Sequence, residues 1–222
     1  MGINFTRVNL SKQKARSSYN QMSRWYYLFA GTSERKFMNY GITELDPQQG
    51  EKILEIGCGT GHGLLSLAQS VSKTGSIFGL DLSEGMLSQA KNLFQKSNYS
   101  NSINLQLGDG CHLPYSSNSF SAVFLSFTLE LFDTPDIPLV LEECRRVLKE
   151  KSRIVIVCLN KEKTIPVHIY EWFHGIMPSL VDCRPISIQS FLPQAGFQST
   201  KSSIKKMWGL PVEIAIAVTA ES

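Results

Sequence analysis

The chain has 222 residues, enough for one domain, and its 42% hydrophobic and 18% charged residues make it globular rather than disordered. Lys and Arg total 22 against 19 Asp and Glu, a formal charge of +3, too small an excess to argue for a nucleic-acid binder. Five cysteines without a C-x-x-C pair exclude a disulfide scaffold and a cysteine zinc site, and point to a reduced, cytoplasmic setting. No signal-peptide pattern and no apolar run of membrane-spanning length occurs.

Residues 1–24 hold Arg7, Lys12, Lys14, Arg16 and Arg24 and no acid. Such a stretch reads as a solvated terminus, or as a weak peripheral contact with an anionic membrane surface. Met1-Gly2-Ile3-Asn4-Phe5-Thr6 also fits the short myristoylation pattern, which matches by chance in many chains. Residues 1–50 as a whole are helical in pattern and rich in aromatics, among them Tyr19, Trp25, Tyr26, Phe37 and Tyr40. A turn-rich stretch, Asp46-Pro47-Gln48-Gln49-Gly50, closes it.

Residues 51–160 alternate strands with helices. Strands are predicted at Lys52–Ile56, Ser76–Leu80, Asn104–Leu107, Ala122–Ser126 and Arg153–Leu159, and helices near 62–71, 84–97 and 136–148. The apolar runs are continuous, as burial on both faces requires, and the alternation predicts a parallel doubly wound sheet. Residues 161–222 begin with the aromatic segment Ile165–Asp182. A helix near 187–195 follows, then two strand-like runs, Gln198–Lys206 and Val212–Val218, which pair as an antiparallel hairpin at the sheet edge. The expected organisation is one domain over 1–222: a helical cover (1–50), a core (51–160), and a lid-plus-hairpin segment (161–222).

Four features at strand ends carry the chemistry. The first is Ile53-Leu54-Glu55-Ile56-Gly57-Cys58-Gly59-Thr60-Gly61-His62-Gly63, with four glycines in seven positions of a chain that has 16 in all. Glycine permits left-handed backbone and lets a ligand touch the main chain, and the next helix presents free N–H groups. The dinucleotide spacing G-x-G-x-x-G fails in both registers, at His62 and at Leu64, and no phosphate-loop motif is present. The second is Phe78-Gly79-Leu80-Asp81-Leu82-Ser83, where Asp81 is placed to accept hydrogen bonds from two ribose hydroxyls, and Ser83 rather than Asp81 is the expected helix cap. The third is Leu107-Gly108-Asp109-Gly110-Cys111-His112. Here Asp109 reads as an acceptor for a base amino group, with Cys111 and His112 as backbone neighbours of the base, or else as a solvated turn aspartate. The fourth is Val123–Glu130, which ends the fourth strand with Ser126-Phe127-Thr128-Leu129-Glu130.

In this order the motifs resemble those of class I S-adenosylmethionine-dependent methyltransferases, and the chain is similar to the ubiquinone/menaquinone-biosynthesis type and its small-molecule relatives. The resemblance is specific over about 51–160 and looser over 19–50. It implies a Rossmann-like, mostly parallel seven-stranded α/β sheet with an antiparallel C-terminal edge hairpin and an N-terminal helical cover, and S-adenosylmethionine as cofactor. It implies Glu55 and the loop of Gly57, Cys58, Gly59 and Gly61 around the methionine part, and Asp81 with Leu82 at the ribose. Asp109, Gly110 and Cys111 would lie by the adenine, Ser126 and Phe127 at the methyl-transfer end, and Tyr19 as an aromatic near the cofactor. One departure is Glu150-Lys151-Ser152, where the family usually has Pro-Gly-Gly in a turn away from the cofactor.

Methyl transfer from a sulfonium is chiefly positioning, with water excluded and aromatic faces (Tyr19, Tyr26, Phe127) toward the cation. If a general base acts, His112, Glu130 and His174 are the candidates, with His168 and Tyr170 behind them; Tyr170–His174 reads either as a substrate lid or as a packed helix. No metal is expected, since the four histidines form no ligand pair. The expected partner is a small-molecule or lipid-like acceptor rather than nucleic acid. The competing readings are a non-catalytic S-adenosylmethionine-binding protein, separable by product formation, and a nucleotide-dependent oxidoreductase, disfavoured by the glycine spacing.

Overall fold

The computed structural model describes residues 31–72, 74–95, 97–99, 102–162, 167 and 184–220. Helix α1 (Gly31–Leu45) leads into β1 (Lys52–Ile56), α2 (His62–Val71), β2 (Ser76–Asp81), α3 (Glu84–Gln95), β3 (Ile103–Leu107) and β4 (Phe120–Ser126). A short 3-10 turn (Leu129–Leu131), α4 (Asp136–Val147), β5 (Leu148–Leu159), α5 (Ile188–Phe191), β6 (Phe197–Met207) and β7 (Leu210–Thr219) complete it. The seven strands form one sheet in the order β3-β2-β1-β4-β5-β7-β6. Pairings through β5 are parallel, and β7 is antiparallel to both β5 and β6.

This is the predicted doubly wound sheet. The first crossover, β1 to β3, winds outward in one direction; the chain then returns past β1 to β4, so a crevice opens between the C-terminal ends of β1 and β4. The bounds predicted for β1 and for the helix at 62–71 are those observed. Ser83 caps α3, its Oγ accepting the Met86 N–H at 3.3 Å. In α4 Asp136 sits in the first turn and Arg145 and Arg146 in the last, matching the helix dipole at both ends.

Three local expectations change. β3 is not buried on both faces: it is the sheet edge, and Leu107 is 40% exposed. Glu150-Lys151-Ser152 is not a separate turn but part of β5. There Lys151 takes φ 56 and the register slips between Phe120 and Ala122, so a bulge absorbs the extra residues. The helix near 187–195 is one turn, Ile188–Phe191, stopped ahead of Pro193.

Two apolar layers cover the sheet. One packs α4 and α5 onto Leu54, Val123, Ile154 and Ala215; the other packs α1, α2 and α3 onto Ile53, Phe124, Val155 and Ile214. Consecutive strand residues thus face opposite cores, which is why the runs are continuously apolar. Arg153 ties α1 to the sheet: its guanidinium donates to the Leu45 and Asp46 carbonyls (2.5 and 2.9 Å) and pairs with Glu51 (2.7 Å).

Candidate active site

The glycine loop leaves β1 and is pinned to the end of β2. Gly57 and Cys58 N–H both donate to the Leu80 carbonyl (2.8 and 3.1 Å), and Gly59 N–H donates to Asp81 Oδ2 (2.8 Å). Gly57, Gly59 and Gly61 all adopt left-handed φ, 70°, 52° and 83°. At Gly57 nothing but glycine fits, because a Cβ would lie 2.3 Å from Thr128 Cγ2. Gly63 has a different reason: a Cβ there would lie 2.2 Å from Glu55 Oε1, so the first turn of α2 rests directly on that carboxylate.

Asp81 receives Gly59 N–H on one oxygen and Ser83 N–H on the other, both at 2.8 Å. Each oxygen keeps a lone pair for a ligand hydroxyl. Burial raises its pKa, and the backbone donors oppose the rise. Beyond β3, Asp109 Oδ1 accepts Cys111 N–H (3.0 Å) and its carbonyl accepts His112 N–H (3.0 Å), which shapes the turn predicted to meet a base. Phe132 closes over Gly110. Leu82 is 39% exposed beside Asp81, an apolar surface next to the ribose-type acceptor. Past β4, Ser126 is half-buried and Phe127 buried, with φ 50 held by its N–H to the Val157 carbonyl (2.8 Å). A bulky residue in that conformation is strained, and such strain clusters at functional sites.

Among the described residues three carboxyl groups, those of Glu55, Glu130 and Glu213, are fully buried, and their partners separate them. Glu213 accepts from Asn160 Nδ2, Gln189 Nε2 and Ser202 Oγ at 2.7–2.8 Å, a satisfied internal brace. Glu55 and Glu130 each keep one oxygen, Oε2, without a hydrogen-bond partner. For Glu55, burial and then the nearby Asp81 push the pKa well above the usual carboxylate range. A carboxyl with an unpartnered oxygen against the glycine loop can ionise toward a ligand that brings an ammonium or sulfonium charge beside it.

Glu130 Oε1 accepts the Leu159 N–H (3.2 Å). Burial raises its pKa to about 8, with Glu34 adding to the rise and Arg184 and the backbone donors opposing it. The carboxyl is protonated in the folded state up to about pH 8 and in the unfolded chain only below about 4.5, so stability falls as pH climbs between these values. Glu130→Gln removes that titration. Unfolding free energies from urea titrations between pH 5 and pH 9 are expected to fall more steeply in the wild type, by roughly 2–5 kcal/mol across the range. Parallel profiles for the two proteins would refute the assignment.

Sequence-predicted Glu55, Gly57, Cys58, Gly59, Gly61, Asp81, Leu82, Asp109, Gly110, Cys111, Ser126 and Phe127 therefore lie at or just past the ends of β1 to β4. His112 is exposed in the turn after β3. Tyr19, Tyr26, His168, Tyr170, Trp172 and His174 lie outside the described residues, as does the basic N-terminus. Sequence reasoning missed the Arg35 guanidinium against His62 Nε2 (2.5 Å), which joins α1 to the glycine loop, and the wedge of Thr128 on Gly57. Neither pair has a sequence signal, since each joins residues far apart in the chain.

The family model described as methyltransferase domain matches residues 53–151. A demethylmenaquinone methyltransferase of Oceanobacillus iheyensis is 38% identical over 141 residues, covering 63% of this chain and 58% of the relative. One from Staphylococcus haemolyticus is 30% identical over 181 residues, covering 78% of this chain and 73% of the relative. The chain thus spans less than two thirds of some of these relatives and more of others. Among solved structures, magnesium protoporphyrin IX methyltransferase from Synechocystis with bound S-adenosylhomocysteine superposes with a TM-score of 0.74 at 18% identity, covering 95% of this chain and all of that one; at this identity the likeness is one of fold. A parallel sheet with a reversed C-terminal hairpin, a glycine loop on a buried Glu, and an Asp closing β2 are the marks of one class of protein. The chain belongs to the class I S-adenosylmethionine-dependent methyltransferases. Its cofactor is S-adenosylmethionine, and the free Oε2 of Glu55 and the two-oxygen acceptor at Asp81 fit that molecule.

Proposed function

We propose that this protein transfers a methyl group from S-adenosylmethionine to a small-molecule acceptor of lipid-like character, of the quinone type for which its relatives are named. When bound, S-adenosylmethionine supplies an electrophilic methyl group on a sulfonium. The observation that carries the cofactor half is the buried, unpartnered Glu55 carboxylate at the glycine loop. The similarity to two demethylmenaquinone methyltransferases supports the acceptor half.

The chain's own residues bind and align. Asp81 holds the ribose hydroxyls while fixing the loop through Gly59 N–H. Glu55 pairs with the ammonium. Ser126 and Phe127 form the floor of the crevice between β1 and β4, and the buried Phe127 ring excludes water there. Alignment of acceptor and methyl group contributes most of the rate, so no strong acid–base pair is required.

The test is calorimetric titration with S-adenosylhomocysteine and with NAD, followed by incubation with methyl-labelled S-adenosylmethionine and a demethylated quinone. Binding of the first ligand alone and label in the quinone are expected. Binding without label in any quinone tried would favour the non-catalytic reading; preference for NAD would overturn the cofactor.

A further inference from the structure

The tip of the β6–β7 hairpin is placed unlike the rest of the sheet edge. Leu159 at the end of β5 pairs with Val212, and Met207 pairs with Leu210, so the turn Trp208-Gly209 projects past the end of β5. That is the end of the sheet where the glycine loop, Asp81 and Ser126 lie. Helix α1 begins at the same rim and runs from it across the sheet toward Arg153. Arg35 contacts His62 of the glycine loop, while Tyr40, one turn further along, takes the ammonium of Lys205 over its ring at 4.5 Å and that of Lys36 at 5.9 Å.

Trp208 is 68% exposed, the highest value among the large hydrophobic side chains described. It stands at φ 50, a conformation glycine or asparagine adopts more readily. Single exposed apolar residues are ordinary. This one ends a strand that carries exposed residues on both faces: Lys205, over the Tyr40 ring beside Lys36, on the α1 side, and Ile204, 49% exposed, and Lys206 on the other. From Phe197 to Val212 the hairpin carries three lysines and no acid. Lys201 is neutralised by Glu44 (2.6 Å), which leaves the cationic character concentrated toward the tip.

We infer that the hairpin tip, with Trp208 as its wedge and Lys36, Lys205 and Lys206 around it, docks on an anionic lipid bilayer and presents the mouth of the active site to it. Tryptophan has an apolar body and a polar N–H, which suits the headgroup boundary. Each lysine near a negative surface adds attraction that salt screens. The placement gives a lipid-like acceptor a short path from bilayer to crevice, and in this the inference rests on the proposed acceptor class. The inference draws on none of the basic residues of 1–24.

The test is co-sedimentation of the full chain with phosphatidylcholine vesicles and with equal-part phosphatidylcholine–phosphatidylglycerol vesicles. Wild type, Trp208→Ala and Lys205→Glu/Lys206→Glu are compared, each also titrated with S-adenosylhomocysteine. Wild type is expected on the anionic vesicles only, and the charge-reversal protein to bind them at least about 30-fold more weakly. Trp208→Ala is expected to lose about tenfold or more, with unchanged S-adenosylhomocysteine affinity in all three proteins. No binding by the wild type, equal binding to neutral vesicles, or binding unaltered in both variants would overturn the docking surface. The last outcome would move the contact to the N-terminus. Loss of S-adenosylhomocysteine binding in the wild type would strike the methyltransferase reading instead and leave the vesicle result to stand by itself.

Discussion

Asp81→Ala is expected to weaken S-adenosylhomocysteine binding by about 100-fold or more, since a hydrogen bond to a charged acceptor contributes about 1.5–3 kcal/mol and two ribose hydroxyls lose theirs together. The same substitution orphans the Gly59 and Ser83 N–H groups, which now donate to the two carboxylate oxygens at 2.8 Å. The loop is then free to leave the geometry that receives the ligand. Asp81→Asn keeps one acceptor but turns an amide N–H toward a backbone N–H, so its loss is intermediate. Calorimetry checks both, beside a thermal melt to show that the variants are folded. Affinity retained within about threefold in Asp81→Ala would remove Asp81 from the site.

Gly57→Ala is expected to be the most damaging single substitution for stability, at about 2–5 kcal/mol. Two costs combine. A residue with a Cβ is strained at φ 70, and the new carbon would meet Thr128 Cγ2 at 2.3 Å and Oγ1 at 2.4 Å. The neighbours cannot yield cheaply, because Thr128 is itself buried and its hydroxyl donates to the Ser126 carbonyl at 3.0 Å. Adding Thr128→Ala removes the closest clash but not the backbone strain. The double variant should therefore recover part of the loss, and a double-mutant cycle in urea should show a favourable coupling of about 1 kcal/mol or more. Additive effects would show that Thr128 does not touch residue 57.

The order of elements was legible because each carries a local signal. Leu64, Leu67, Ala68 and Val71 repeat at helical spacing in α2, Ser83 marks the start of α3, and the continuous runs at Ile53–Ile56 and Val123–Leu125 announce strands with a core on each face. The cofactor loop was legible for the same reason: four glycines between a strand and a helix leave few alternatives, and Asp81 follows a strand whose end is plain in the sequence. Local signals failed where a neighbour distant in sequence decides. The edge position of β3 exposes Leu107, and pairing with β4 draws Glu150–Ser152 into β5 as a bulge.

The sequence by itself determined the fold class, the cofactor loop and the family resemblance, since these depend on periodicity and short motifs within one segment. Only the tertiary structure separated the three buried glutamates. Glu213 is surrounded by donors from Asn160, Gln189 and Ser202, while Glu55 and Glu130 each retain an unpartnered oxygen. It also carried Trp208 to the end of the sheet where the active site lies, through the register of β7 on β5. A carboxylate's partners and a turn's direction arise from segments brought together by packing, and no window along the chain contains both members of such a contact.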